Sequence, residues 1–380
     1  MRILHLWDVY SPGLFDRSHA LCLEHNLASD LLCMHLLDRA TPPEPRVKAV
    51  RTIGEDTSSG FATRAIKRLR RGLDRQRFRS AVRRQIVKHR PDVIHFHFGT
   101  TAAMLEGVPG LSAIPAVVSF YGYDISAGLK EPGLRRSYER LLPYAAKFHV
   151  LCEEARLRAV SLGAARERTA LLNLPLDLAG YPLIGITGDR VTRWLIPARF
   201  VAKKGHLLAL DAFAQHHRQH PDARLTCWGY GPDRWLHDAI TERGLSASVT
   251  VRQSADPRGF DAAYRDELTR HDVILAPSVK AASGDDEGGP ALTAVLAQLA
   301  GKPVIYSDFP GSECSLTDGV EGLIVPQNDV AALSDAMDRL ASDPARAAEM
   351  GRAGRVRVIG SFSAQAYWTE IERWYRELTG

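Results

Sequence analysis

The feature that most constrains the fold is a regular alternation. Short apolar runs, each followed by a stretch with helical spacing, fill the first half of the chain at 2–7, 31–36, 47–52, 92–98, 116–120, 147–151 and 169–173. Strands separated by helices pair in parallel through crossover connections, so the pattern predicts an α/β sheet with helices on both faces. In such sheets ligands gather beyond the carboxyl ends of the strands, and the residues after each run are the ones to inspect. At 380 residues the chain exceeds one typical core, and two domains are expected. A stretch rich in glycine and proline, 179–192, reads as the linker, and a new strand begins at Trp194.

Residues 285–307, DDEGGPALTAVLAQLAGKPVIYS, carry the densest chemical signal. An acidic turn leads into Gly288, Gly289 and Pro290, and then into Leu292, Val295, Leu296 and Leu299 at helical spacing. Pro290 suits the first turn of a helix, where its missing N–H costs nothing. Two glycines ahead of it let backbone approach a ligand with no Cβ in the way. A helix start offers unpaired N–H groups and a positive dipole end, a natural seat for a diphosphate. Glu287 would repel a phosphate, so its expected task is to accept hydrogen bonds from neutral sugar hydroxyls. The plainer alternative is an acidic flank before an ordinary buried helix.

Bulk properties exclude several classes. Cys22, Cys33, Cys152, Cys227 and Cys314 lie far apart without a CxxC pair, so neither a disulfide framework nor a zinc site is indicated, and a reducing cytoplasm fits. No run approaches a membrane span, and any membrane contact is expected to be peripheral. Between Arg64 and Arg90 stand ten arginines and two lysines against one acid, Asp74. That imbalance is too large for mutual ion pairing and favours a polyanionic partner. Interspersed Phe61, Ile66, Leu69, Leu73 and Phe78 point to an anionic membrane surface, on the inner face of the cytoplasmic membrane. Nucleic acid is the rival, but the segment has two aromatics and no reader motif, so none is expected.

Further short motifs follow strand positions: His95-Phe96-His97-Phe98-Gly99, Tyr121-Gly122-Tyr123-Asp124, Arg199 with Lys203-Lys204-Gly205, Gly229-Tyr230-Gly231-Pro232, Ala276-Pro277-Ser278, and residues 322–326. His95 and His97 share one strand face and could hold a metal with a third ligand. No third ligand is apparent in the sequence. His97 is read as near the ligand-binding side or as a satisfied structural histidine. Asp124 would orient a backbone turn or an acceptor hydroxyl, or would cap a helix.

Taken in register, EGGP followed by a helix and GKPVI, together with these motifs, resembles the retaining glycosyltransferases of family four. The resemblance implies the GT-B fold, with two Rossmann-like domains facing across a cleft. The expected division is an acceptor-side domain at 1–185, a nucleotide-sugar domain at 190–360 and a helix at 361–380 crossing back onto the first. It implies transfer of a sugar from a nucleotide diphosphate donor to a glycan or lipid-linked acceptor, with retention and without metal or other cofactor. By the same resemblance Arg199 and Lys204 clamp the diphosphate and Glu287 holds the sugar. Gly229, Gly231, Gly288, Gly289, Pro290, Ala291 and Tyr121 would line the donor, and His97, Asp124 and Gly13 the acceptor side.

Three departures stand out. Tyr121 replaces the family's usual histidine, and a neutral phenol makes an acid–base role there doubtful. Gly13 stands alone where the family pairs glycines. The family's second acid, which holds the nucleotide ribose, falls on Val295 or Leu296, and Glu313 matches a different position. Rival readings are a same-fold epimerase, a non-catalytic sugar-nucleotide binder and a nucleic-acid binder.

Overall fold

The computed structural model of the chain describes residues 1–10, 28–37, 47–53, 61–176, 178, 181–186, 188–254 and 262–380. Gly13 lies outside them. The chain divides into two compact units, Met1–Asp177 with Ala364–Gly380, and Leu178–Ser363.

Unit 1 is built on β1 (Arg2–Tyr10), β2 (Ala28–Leu37), β3 (Val47–Ile53), β4 (Val93–His97), β5 (Ala116–Ser119), β6 (Lys147–Val150) and β7 (Thr169–Leu171). All pair in parallel in the order β3-β2-β1-β4-β5-β6-β7. Each expected run forms a strand, with ends that differ by a few residues. β4 is buried along its whole length, as a strand covered on both faces must be. The long helix α1 (Phe61–His89) sends Phe78, Val82 and Ile86 inward at four-residue spacing. Phe78 is therefore core, not a lipid-facing side chain. Leu73 and Val87 are instead exposed among Arg75, Arg77, Arg83, Arg84 and Lys88. Asp74 is buried and pairs with Arg77 at 3.7 Å.

Unit 2 carries β8 (Arg193–Pro197), β9 (Arg224–Gly229), β10 (Val249–Gln253), β11 (Val273–Ala276), β12 (Val304–Ser307) and β13 (Gly322–Val325), parallel in the order β10-β9-β8-β11-β12-β13. Its core joins Trp194, Ile196, Phe213, Leu225, Ile305 and Met337. Three of its helices matter below: α2 (His206–Gln219), α3 (Leu292–Leu299) and α4 (Val330–Ser342).

The last helix, α5 (Ala364–Thr379), belongs to unit 1. Tyr367, Trp368, Ile371, Trp374 and Tyr375 pack on Ile3, Val93 and Val117. The expected domain boundary at 185 moves back to Asp177, because the linker is stitched onto unit 2. Ile184 and Gly185 donate backbone N–H groups to the Ala300 carbonyl at 2.8 and 2.9 Å, and Arg355 donates to the Tyr181 carbonyl at 3.2 Å.

Candidate functional site

In unit 2 the strand order reverses between β8 and β11, so the loops leaving these two strands flank the topological switch point. They touch closely. Gly205 follows the single 3-10 turn at Ala202–Lys204 with φ 68°, and a Cβ there would lie 1.7 Å from the Pro277 carbonyl oxygen. The Val279 amide donates to the Lys203 carbonyl at 2.8 Å. No residue but glycine fits at 205 without prising the two loops apart.

This contact fixes two lysines. Lys203 donates to Asp285 Oδ1 at 3.1 Å and to the Asp286 carbonyl at 3.0 Å. Lys204 donates to Glu287 Oε1 at 2.5 Å, and the Ser278 hydroxyl donates to the same oxygen at 2.9 Å. Burial alone would raise the Glu287 carboxyl, but Lys204, Lys203 and Ser278 together outweigh it and hold the group below its usual range. Arg199, two residues past the end of β8, is exposed, and among the described residues its guanidinium has no hydrogen-bond or ion-pair partner. The site thus combines a lysine held by a removable carboxylate and a second lysine anchored behind it, with the exposed Arg199 on the same loop after β8.

α3 begins at Leu292 with Ala291 as its N-cap, so Pro290 sits before the cap and not in the first turn. No side chain caps the helix, which leaves its leading amides to an external acceptor. Gly289 is held from behind: a Cβ on Gly311 would fall 2.4 Å from the Gly289 carbonyl carbon. Gly288 and Gly289 therefore keep backbone, not side chains, before the helix start. Gly229 has a different explanation from ligand approach, since a Cβ there would meet the Ala198 carbonyl oxygen at 1.9 Å. Gly231 takes φ 119°, the turn alternative.

Val295 and Leu296 are both buried in α3, so neither offers a polar group to a ribose. Glu313 accepts from its neighbouring Gly311 amide at 2.9 Å, which fits its exclusion as a substitute.

On unit 1, Asp124 is buried and accepts from the amides of Gly99 at 2.8 Å, Tyr121 at 3.0 Å and Gly122 at 3.1 Å. Burial pushes its carboxyl up to about 6, against the pull of those amides. Both oxygens serve backbone, so Asp124 ties the loop after β5 to the helix start after β4, and the expected contact with an acceptor hydroxyl gives way to that structural role. His97 is likewise satisfied: it stacks on Trp7 at 3.5 Å, and its ring nitrogens meet Tyr121 Oη at 2.9 Å and His5 Nδ1 at 3.0 Å. It positions Tyr121, whose phenol burial keeps protonated.

His5 is the third histidine that sequence reading missed. Register sets it opposite His95 on the same face of the sheet, a juxtaposition visible only once β1 and β4 are paired. Five of the trio's six ring nitrogens are engaged by one another or by hydroxyls, which makes it a hydrogen-bonded network within the core of unit 1. His95 meets Tyr375 Oη at 2.6 Å and Ser119 Oγ at 2.7 Å, and His149 meets Ser119 Oγ at 3.0 Å. Lys203 and Ser278 also had no assigned role in the sequence; the acidic turn at Asp285 was the available signal for the first.

Comparison with known proteins bears on the family and the fold. The family model "Glycosyl transferases group 1" matches residues 191–357, and "Glycosyl transferase 4-like domain" matches 25–175. The amylovoran biosynthesis glycosyltransferase AmsK of Erwinia amylovora is 26% identical over 74% of this chain and 69% of its own length. A GDP-mannose-dependent phosphatidylinositol monomannoside mannosyltransferase of Mycolicibacterium smegmatis is 31% identical, over 42% of this chain and 41% of its own. Among solved structures, the sucrose-phosphate synthase of Thermosynechococcus elongatus superposes with a TM-score of 0.76 at 18% identity, covering 100% of this chain and 99% of that one.

Proposed function

We propose that this chain, which belongs to the group 1 glycosyltransferases of family four and has the GT-B fold, transfers its sugar with retention of configuration from a nucleotide sugar seated on unit 2. The observation that carries this reading is the Lys204–Glu287 pair at the switch point, with α3 starting five residues after Glu287 and the exposed Arg199 five residues before Lys204. When a donor arrives, its diphosphate replaces Glu287 as the partner of Lys204. Arg199 and the amides following Gly289 join it, and the released carboxylate accepts from sugar hydroxyls. As the glycosidic bond to phosphate breaks, negative charge grows on the diphosphate where these fixed donors wait. Two cations and a helix start supply what a divalent ion would, so the reaction proceeds without metal. The departing phosphate takes the proton of the acceptor hydroxyl on the same face. The test is transfer from a panel of nucleotide sugars in the presence of EDTA, with the product anomer read by NMR. An α-linked donor is expected to give an α-linked product. An inverted product, or donor rearrangement without any acceptor, sinks this reading.

The acceptor is a glycan or a lipid-linked saccharide presented at an anionic membrane surface. Two observations support this. One relative is named for amylovoran biosynthesis and another for a phosphatidylinositol mannoside. α1 also exposes Arg75, Arg77, Arg83, Arg84 and Lys88 with Leu73 and Val87 between them. Among the described residues no helix is long and apolar enough to cross a membrane. Full-length protein is expected to float with vesicles containing phosphatidylglycerol and not with pure phosphatidylcholine. Replacing Arg83, Arg84 and Lys88 by alanine should weaken that binding about tenfold or more. Equal binding to both vesicles, or tighter binding to duplex DNA at the same salt, contradicts the membrane role.

A further inference from the structure

A second cluster in unit 2 lies outside the donor site. His216 in the last turn of α2 and His220 one turn later sit on one helical face, and Asp338 of α4 packs against both. His216 Nδ1 is hydrogen-bonded to Asp338 Oδ1, His220 Nε2 lies 3.3 Å from the same oxygen, and Gln219 Nε2 reaches Oδ2 at 3.5 Å. One ligand atom from each of the three residues falls within 4.8 Å of the others. The two rings are stacked with centroids 4.4 Å apart, so both imidazoles approach the carboxylate from the same side.

We propose that His216, His220 and Asp338 form a structural site for a borderline divalent transition cation, Zn²⁺ or its analogues Co²⁺ and Ni²⁺, which clips the end of α2 to α4. Two imidazoles at i and i+4 on a helix with a carboxylate from a neighbouring element are a ligand set for such ions. The charge balance favours it. The end of α2 carries the negative pole of its dipole and Asp338 adds a carboxylate, so a dication there is attracted by both. Access exists, because His220 and Gln219 line a surface hollow with Asp222 and Ala341. His216 is fully buried, and its Nε2 has no hydrogen-bond partner. Nδ1 is thus the atom turned to the cluster. Burial also disfavours the imidazolium form of His216, although Asp338 pulls the other way, so a neutral ligand is at hand. The contrast with His5, His95 and His97 is chemical. There five of the six ring nitrogens meet hydroxyls or each other, whereas here one nitrogen of each histidine faces a single carboxylate oxygen.

The experiment is a Co²⁺ titration of the full-length chain after EDTA treatment, followed by visible absorption, with Zn²⁺ as competitor. One equivalent of Co²⁺ is expected to give ligand-field bands that Zn²⁺ abolishes, and Zn²⁺ should raise the Tm. His220→Ala and Asp338→Asn should each weaken binding at least about tenfold. Both positions are partly exposed, so the folded state of each variant can be verified by circular dichroism. Neither residue belongs to the donor site, so both variants should transfer sugar at the wild-type rate. Failure of the metal site therefore leaves the donor reading standing. Absence of Co²⁺ bands in the wild type, or bands unchanged in both variants, overturns the proposal and leaves a hydrogen-bonded His–Asp–His contact.

Discussion

Lys204→Ala is expected to lower kcat/KM for sugar transfer by about a hundredfold, with the fold retained and the thermal midpoint lowered because buried Glu287 loses its main partner. The magnitude follows from removing one preorganised donor to a developing anion, which costs about 3 kcal/mol in a partly desolvated site. Lys204 is held at the switch point by Glu287 and by the close contact of Gly205 with Pro277, so its position is set before the donor binds. A lysine left to find the phosphate from solution would contribute less, because ordering its side chain would cost entropy. The variant also frees Glu287 from its partner, which should raise that carboxyl toward its ordinary range. The companion Arg199→Ala separates this from simple misfolding, because it removes an exposed side chain and still should slow transfer at least tenfold, on the order of 1.4 kcal/mol. Near-normal rates in both variants would refute the clamp.

Unit 1 is expected to lose stability steeply as pH falls below neutrality. Burial holds His95 well below the ordinary histidine range, with His5 and His149 adding to the effect, and burial lowers His149 to about 4. In the unfolded chain both titrate near 6.5. Below that pH the unfolded state binds protons that the folded state refuses, so stability is full above 6.5 and declines as pH falls toward 4. Each histidine contributes about 1.4 kcal/mol per pH unit, so the pair removes about 4 kcal/mol between pH 6.5 and 5, of which protonation of Asp124, raised to about 6 by burial, returns about 1. Both rings lie beneath α5, where Tyr375 Oη meets His95 and the Tyr367 ring lies edge-on to His149. Undocking of that helix should be the first visible event. Urea midpoints at pH 7 and pH 5, followed by the fluorescence of Trp368 and Trp374, measure it, and His149→Gln should remove about half of the slope. Equal midpoints at the two pH values would contradict the burial of both rings as neutral groups.

Much of this architecture was legible from the chain alone, for local reasons. Strands such as Val93–His97 announce themselves by continuous apolar character, and Gly205 and Gly289 by glycine standing where a strand gives way to a helix. Asp124, His97 and Gly229 were noticed at the right positions, and for Asp124 and His97 the contacts match the structural alternative the sequence already offered. What each one touches depends on long-range register: a backbone amide 25 residues away, a histidine 92 residues away, a carbonyl on the adjacent strand. His5 was invisible for the same reason, since a histidine inside an apolar strand has no local signature. Pro290 shows the smaller failure. It marks a helix start correctly, but Ala291 takes the capping place and the helix begins at Leu292, two residues after the proline that was expected to open it.

The most direct measurement is calorimetric titration of nucleoside diphosphates into the wild type and Lys204→Ala in the presence of EDTA. At least one diphosphate should bind the wild type without metal and bind the variant at least tenfold more weakly, on the order of 1.4 kcal/mol. Binding that needs a divalent ion, or that is equally tight when Lys204 is gone, would show that the switch-point lysine does not receive the diphosphate.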